Sequence, residues 1–352
     1  MPVDQTRVEE FAGRVVCDMA AAMSGVMVNL GHKLGLYRSL HGAGPTSAAA
    51  LAAKAGLCER YVHEWLNNQV AGGYLDYDPG SRCYSLSEER AQVLADPTSA
   101  AFLAPGFDVV ASLWLDEDKV ADAFRSGDGI GWHEHHPRLF FGTEALFRPG
   151  YRADLVANWI PALEGIDDRL RRGGSVADVG CGHGASSLLM AEAYPASTVR
   201  GVDYHPESIA VARQRAVDAG LADRVTFEVA DAAEYGGERY DLVCFMDCFH
   251  DLGDPRAAAR YARSKLAAGG AVMLVEPLAG DAVEDNINPI GRLFYAASTA
   301  LCTPNSRSQP TGLALGAQAG DARLTEVLNG GGLARVRRVA ETPFNVVLEA
   351  RP

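Results

Sequence analysis

Residues 176–187 read VADVGCGHGASS. An apolar run (Val176, Ala177, Val179) leads into three glycines at alternate positions, 180, 182 and 184, and small helix-compatible residues follow. This pattern predicts a buried strand, a glycine turn and a helix. Working outward, the alternation continues. A helix is expected over 185–194, a strand at TVRGVD (198–203), a helix over 206–219 and strands at RVTFEVAD (224–231) and YDLVCFMD (240–247). A helix over 255–268 and a strand at AVMLVEP (271–277) follow. Strands alternating with helices predict an α/β fold with a Rossmann-like, doubly wound parallel sheet. Two adjacent strands close the chain, at ARVRRVAE (334–341) and FNVVLEA (344–350), and predict an antiparallel edge. A long insert, 278–320, lies between; 301–320, with Pro304 and several glycines, reads as a lid or interface loop.

In such a sheet, ligands bind beyond the strand carboxyl ends, where glycine lets a ligand approach the backbone. Gly180, Gly182 and Ala185 also fit the dinucleotide fingerprint GxGxxG/A, so the loop alone is ambiguous. The acids around it separate the readings. Asp178, two residues before the first glycine, suits a cationic ammonium and sits awkwardly beside a pyrophosphate. Asp203 ends the second strand, placed for ribose hydroxyls. Asp231 ends the third, placed for an adenine amino group. Acids after three successive strands favour a cationic adenosine ligand, S-adenosylmethionine, over a dinucleotide. Tyr204, Ala232 and Asp247 are expected to line its adenosine and methionine ends.

The amino-terminal third differs. Residues 11–40 are rich in Ala, Met and Leu, apolar on more than one face, and suit burial against another element or subunit. Residues 45–70 give two short helices separated by Gly56, and YLDYDPGSRCYSL (74–86) gives two short strands around an Asp-Pro-Gly turn. This is a winged-helix pattern. Residues 46–86 hold Lys54, Arg60 and Arg82 against Glu59, Glu64, Asp76 and Asp78, a poor balance for a DNA-reading helix. The whole chain of 352 residues has a formal net charge of −13, which also opposes nucleic acid and anionic membrane. Its seven scattered cysteines, the lack of a signal-peptide pattern and the lack of a long apolar run lead to the expectation of a cytoplasmic enzyme. Three regions are expected: a helical winged-helix domain over 1–97, a helical linker and pocket region over 98–170, and a cofactor domain over 171–352. A break is expected at 126–150, with a helix resuming near Tyr151.

Asp-x-Gly-x-Gly-x-Gly with these acids resembles the class I S-adenosylmethionine-dependent methyltransferases. The helices and winged helix, followed by FMDCFHDLGDP and LVEP, resemble two-domain small-molecule O-methyltransferases. GWHEHHP, FRPGYR, NPIGRLFYAAST and LALGAQAG resemble the mycobacterial winged-helix methyltransferase group. The resemblance implies a homodimer formed through the amino-terminal domain and transfer of methyl to a small molecule.

His250, just beyond the fourth strand, falls beside the expected methyl position and suits a general base for a hydroxyl acceptor; the competing reading makes it a cap or packing residue. The resemblance implies that Glu276 steadies it, although a strand-end carboxylate bonded to an amide is the plainer alternative. His133 and His135, in the His133-Glu134-His135-His136 cluster, are candidate substrate contacts, and a His-x-His zinc or iron site is an alternative there; no metal is assigned. Asn286, Arg292 and Tyr295, in the insert, are further substrate candidates. His183 is expected to point outward and His205 to be a surface or cap residue. Methylation of nitrogen, sulfur or carbon, and a cofactor-sensing regulator, stay as alternative functions.

Overall fold

The computed structural model describes residues 3–237 and 239–352. It forms two compact units, one of residues 1–114 and 137–149 and the other of 115–136 and 150–352.

In the first unit, helix α1 (Gln5–Lys33) begins at Asp4, whose side chain accepts the Thr6 and Arg7 amides. Helix α2 (Leu36–Leu40) follows a left-handed Gly35. Helix α3 (Ala48–Ala55) is capped by Ser47 and stopped by left-handed Gly56, and α4 is Glu59–Ala71. Strands β1 (Asp76–Asp78) and β2 (Cys83–Ser85) pair antiparallel as the wing. The core joins Val28, Tyr37, Leu51, Val62, Trp65 and Leu66. Helix α1 leaves an apolar stripe uncovered. Val8, Phe11, Val15, Met19, Met23, Val26, Leu30 and Leu34 recur at three- and four-residue steps and all are exposed. The sequence reading expected no membrane-length apolar run, but α1 is long and apolar enough to cross a membrane by length and composition. Few charges fall among its Ala, Met, Val and Gly residues.

The expected break at 126–150 is shorter than predicted. A helix already starts at Arg138 and continues to Asp154 with Pro149 inside it, followed by a wide π turn over Leu155–Trp159. The expected break runs to residue 150, yet the helix passes through Pro149 and into a turn that relaxes the backbone ladder.

The second unit carries a seven-stranded sheet. Its strands are β3 (Ser175–Val179), β4 (Thr198–Asp203), β5 (Val225–Val229), β6 (Tyr240–Met246), β7 (Leu266–Pro277), β8 (Arg335–Glu341) and β9 (Asn345–Arg351), in the order β5-β4-β3-β6-β7-β9-β8. The first five are parallel; β9 runs antiparallel between β7 and β8. The edge pair thus matches the sequence reading. Strand β7 begins at Leu266 rather than 271, and the helix before it ends at Lys265. The register shifts between Tyr240 and Leu242, and left-handed Gly269 lets the strand continue through the irregularity. The chain reverses direction across the sheet between β3 and β6. Their carboxyl ends therefore open the crevice where such sheets bind ligands.

The first unit offers a packing test. A Cβ added at Gly31 of α1 would lie 2.5 Å from Trp65 Cζ2 and 2.7 Å from Tyr37 Cε2. Gly31→Ala should cost about 1–3 kcal/mol through overpacking, although alanine is the better helix former. A denaturation midpoint equal to or above that of the parent chain would contradict this packing.

Candidate active site

The loop after β3 is built from left-handed glycines, with φ of 77° at Gly180, 51° at Gly182 and 78° at Gly184. Their reasons differ. A Cβ at Gly180 would lie 2.5 Å from Cys248 Sγ, and one at Gly184 would lie 2.6 Å from the Phe227 ring. At these two glycines packing alone excludes a side chain, whether or not a ligand approaches the backbone there. Gly182 is the open one, with nothing within 4 Å of an added Cβ. His183 is buried rather than pointing outward; it sits between two left-handed residues.

Asp178 is fully buried on β3. Its Oδ2 accepts the Ser186 and Ser187 hydroxyls, each at 2.6 Å. Burial pushes the carboxyl above the ordinary Asp value, against those two hydrogen bonds. Its Oδ1 is buried with no hydrogen-bond partner. A buried acceptor without a donor is costly, and a cationic or N–H-bearing ligand would satisfy it. Together with the open face at Gly182, this fits S-adenosylmethionine.

Asp203 ends β4. It accepts the Gly182 amide on Oδ2 and the His205 amide on Oδ1, both at 2.9 Å, and burial raises its carboxyl. It thereby fixes the glycine loop from the end of β4. Tyr204 lies half exposed, with its hydroxyl 3.5 Å from His133 Nδ1. His205 is buried rather than on the surface. It occupies the cap position of the helix Pro206–Asp218 and its ring meets Ser208 Oγ at 2.8 Å. Asp231 is exposed after β5 and its Oδ1 accepts the Ala233 amide; Ala232 is partly buried against the sheet core.

The chain leaves β6 through Asp247, which has a left-handed φ of 52°. A non-glycine residue held there stores strain and is a mark of functional sites. Tyr151 donates its hydroxyl to Asp247 Oδ2 at 2.6 Å and Asn345 donates to Oδ1 at 2.6 Å. Burial, reinforced by Glu276, outweighs these bonds and pushes the Asp247 carboxyl up to about 7.

Three residues on, His250 is buried. Its Nδ1 lies 2.7 Å from Glu276 Oε2, and Glu276 Oε1 accepts the Phe249 amide at 3.1 Å. Nε2 lies 3.3 Å from Asp251 Oδ1. Burial alone would lower the imidazole, but Glu276 and Asp251 prevail and hold its proton well above the ordinary histidine range. The geometry unites both readings of Glu276, since it is a strand-end carboxylate bonded to an amide and also the partner of His250.

The other candidates divide. His135 is buried with Nδ1 3.1 Å from Asp116 Oδ2, while His133 is exposed beside Tyr204. Asn286 is spent on its own loop: it accepts the Gly280 amide and donates to the Gly280 and Ala282 carbonyls. Arg292 and Tyr295 lie on the exposed side of the helix Pro289–Ala297. The stretch expected as a loop from 301 instead starts in a wide π turn, Ser298–Cys302, and a helix, Thr303–Arg307. Sequence reading missed Cys302, Tyr151, Asn345 and Asp116. It also passed over Ser186 and Ser187, although their place directly after the glycine loop was a usable signal.

Residues 170–310 match the family described as a methyltransferase domain, and residues 22–96 match the Rv2258c-like winged HTH domain. The chain therefore joins a winged helix-turn-helix domain to a methyltransferase domain with the class I S-adenosylmethionine-dependent fold. Among curated proteins it is similar to ajmaline N-methyltransferase of Rauvolfia serpentina, 29% identical over 46% of this chain and 57% of that one. It is also similar to 27-O-demethylrifamycin SV methyltransferase of Amycolatopsis mediterranei, 31% identical over 41% of this chain and 57% of that one. The chain thus spans little more than half the length of these two relatives. Among solved structures, a protein from Nostoc punctiforme described as a putative O-methyltransferase shares the fold with a TM-score of 0.72, at 18% identity, over 96% of this chain and 98% of that one. So does an O-methyltransferase from neocarzinostatin biosynthesis, solved with S-adenosyl-L-homocysteine and 1,4-dihydroxy-2-naphthoic acid. Its TM-score is 0.64 at 22% identity, over 96% of this chain and 98% of that one.

The Glu276–His250 pair is testable without any substrate. Replacing the carboxylate with an amide in Glu276→Gln removes the charge that favours the imidazolium. In a proton NMR titration of the cofactor-free protein, His250 should lose its proton at least about one pH unit lower than in the parent. An unmoved titration would show that Glu276 does not hold the proton there.

Proposed function

We propose that this chain is an S-adenosylmethionine-dependent methyltransferase acting on a hydroxyl of a small molecule, with His250 as the general base. The observation that carries this reading is the buried dyad of His250 and Glu276, on the turn after β6 beside the loop after β3. The cofactor supplies an electrophilic methyl group when bound. Asp178 and the Gly182 backbone would hold its amino-acid end, and Asp203, Tyr204, Asp231 and Ala232 its adenosine. Asp247, strained and braced by Tyr151 and Asn345, lines the site between them.

The chain's own part is to orient and to move one proton. Glu276 fixes the His250 ring through Nδ1 and leaves Nε2 to face the acceptor. Glu276 and Asp251 favour the imidazolium form of the ring. A cation placed nearby disfavours the imidazolium, so filling the cofactor site readies the ring to accept the hydroxyl proton. The O-methyltransferase structures of the same fold favour oxygen over nitrogen, sulfur or carbon as the acceptor atom. The segment around His133, with Tyr204, would cover the cofactor. Arg292 and Tyr295 are kept as outer substrate contacts, whereas Asn286 is better read as a loop brace.

Calorimetry should show S-adenosylmethionine or S-adenosylhomocysteine binding and NAD not binding. Asp178→Asn should weaken that binding by about tenfold or more. His250→Ala should slow methyl transfer from labelled cofactor to a panel of phenols and alcohols by about 10²–10⁴-fold, with cofactor affinity nearly intact. Equal loss of both would make His250 a binding residue, and binding of NAD alone would sink the reading.

The winged-helix unit, taken as residues 1–97, is read as a dimerisation domain rather than a DNA reader. On α4, Arg60 is ion-paired with Glu64 of the same helix, and the wing strand β1 exposes Asp76 and Asp78. The exposed apolar stripe of α1 suits a second copy of this chain. The seven free cysteines suit a reducing, cytoplasmic setting. Light scattering after gel filtration should give a dimer, and Met19→Glu with Met23→Glu should give a monomer. A monomeric parent chain, or one that sediments with lipid vesicles, would refute the dimer and leave the stripe to a membrane.

A further inference from the structure

We propose that His250 Nε2, the Asp251 carboxylate and Cys302 Sγ form a binding site for a transition-metal dication of the zinc type, with His135 Nε2 as its fourth ligand. Ligand atoms of the first three residues all lie within 4.8 Å of one another. Bonds of about 2.0–2.3 Å to a tetrahedral ion put neighbouring ligands about 3.3–3.8 Å apart, so small side-chain shifts bring these three donors onto one ion, and His135, outside that cluster, joins by a larger turn of its ring. The alternative of a His-x-His metal site at 133–136 draws no support from the geometry. His133 faces Tyr204, and among the described residues the metal-ligating cluster is the one at His250.

Two further observations point to a cation. His135 Nε2 and Asp251 Oδ1 are both buried acceptors without a hydrogen-bond partner. Asp251 Oδ1 does lie 3.3 Å from His250 Nε2, but without hydrogen-bond geometry. That close pair is held either by the imidazolium proton that Glu276 and Asp251 favour or by a dication that takes its place. His135 also acts electrostatically on Asp251. Both histidines also carry the outer carboxylate that metal-binding imidazoles usually have. Glu276 engages His250 Nδ1 at 2.7 Å and Asp116 engages His135 Nδ1 at 3.1 Å, so each Nε2 is left as the ligand atom.

The scaffold holds these residues together. Gln309 donates to the Asp251 carbonyl and accepts the Gly253 amide. Ser306 donates to the Leu252 carbonyl, and Asn305 accepts the Trp132 amide. The segments bearing His135, His250–Asp251 and Cys302 are thereby tied to one another. Cys302 ends a π turn, a feature frequent at functional sites. The donor set of nitrogen, thiolate and one carboxylate suits zinc, cobalt(II) or iron(II), not magnesium or calcium. With two neutral imidazoles, one carboxylate and one thiolate, a dication gives a neutral site. Binding then releases one proton from the His250 imidazolium and one from the Cys302 thiol.

The test uses the full chain, freed of metal by a chelator and titrated with Co²⁺, with neither cofactor nor acceptor present. Its outcome is therefore independent of whether methyl transfer occurs. One Co²⁺ per chain should bind with a thiolate-to-cobalt charge-transfer absorption, and stoichiometric Zn²⁺ should displace it. Cys302→Ser should abolish that absorption and weaken zinc binding at least tenfold. Asp251→Asn should weaken zinc binding similarly while keeping the absorption. Failure to bind metal at micromolar concentration, or an absorption that survives in Cys302→Ser, would overturn the site. If Cys302→Ser does not fold, as judged by circular dichroism, Asp251→Asn and a zinc-dependent shift of the His250 ring protons in the parent chain decide it.

Discussion

The buried carboxylate of Glu276 is the constraint around which the second unit is arranged. A carboxylate taken from water is tolerated only where donors meet it. Here the donors are the Phe249 amide and the His250 ring. Meeting them forces the chain to turn as it leaves β6, and the turn passes through a strained Asp247. The same turn places Cys248 against Gly180, so the glycine loop of β3 is shaped partly from the β6 side. Asp251 and Leu252 then receive Gln309 and Ser306, which ties the 302–309 segment to the turn after β6. One buried charge thus links the edge of β7, the turn after β6, the loop after β3 and the insert.

The opposite wall follows a related logic with a different result. Asp178 is also a buried carboxylate, but the serines at the start of the next helix satisfy only one of its oxygens. A site whose acceptor is left open is complementary to something absent from the chain itself. Asp203, by contrast, uses both oxygens on backbone amides. Its role in the fold is thus fixed by the backbone, and the ribose contact proposed for it would fall on a carboxylate already held in place, so its substitution would disturb the loop first.

Much of this was legible in the sequence because it lies in local pattern. The period of apolar residues marked the strands, and acids at strand ends marked the crevice. The alternation of elements fixed the sheet class, including the antiparallel edge formed by β9. Less legible were contacts made across long separations. Tyr151 reaches Asp247 over 96 residues and Asn345 reaches it over 98. Cys302 meets His250 from a π turn that no periodicity announces. Pro149 marked a break that the helix passes through, because a wide turn downstream absorbs the strain. Gly180 was legible as a turn residue, but the reason for it, the Cys248 thiol, belongs to another strand. Asn286 had the chemistry of a substrate contact, yet the backbone of its own loop had the prior claim.

The two roles argued for His250 compete for one lone pair. As a base, Nε2 must be free to accept a proton from the acceptor; as a ligand, the same electrons are donated to a metal. Glu276 supports both, since it orients the ring and raises its basicity in either case. Protein groups alone leave Nε2 opposite Asp251, and that arrangement is stable only with a proton or a dication between them. A bound metal would therefore remove the base while preserving the shape of the site. Transfer through a free His250 and occupancy by zinc are then mutually exclusive states of one pocket, unless the metal itself binds the acceptor oxygen and acidifies it. In that case Cys302, unnecessary for a simple base, would be required for turnover. The dependence of turnover on Cys302 thus separates a site that a metal blocks from one that a metal drives.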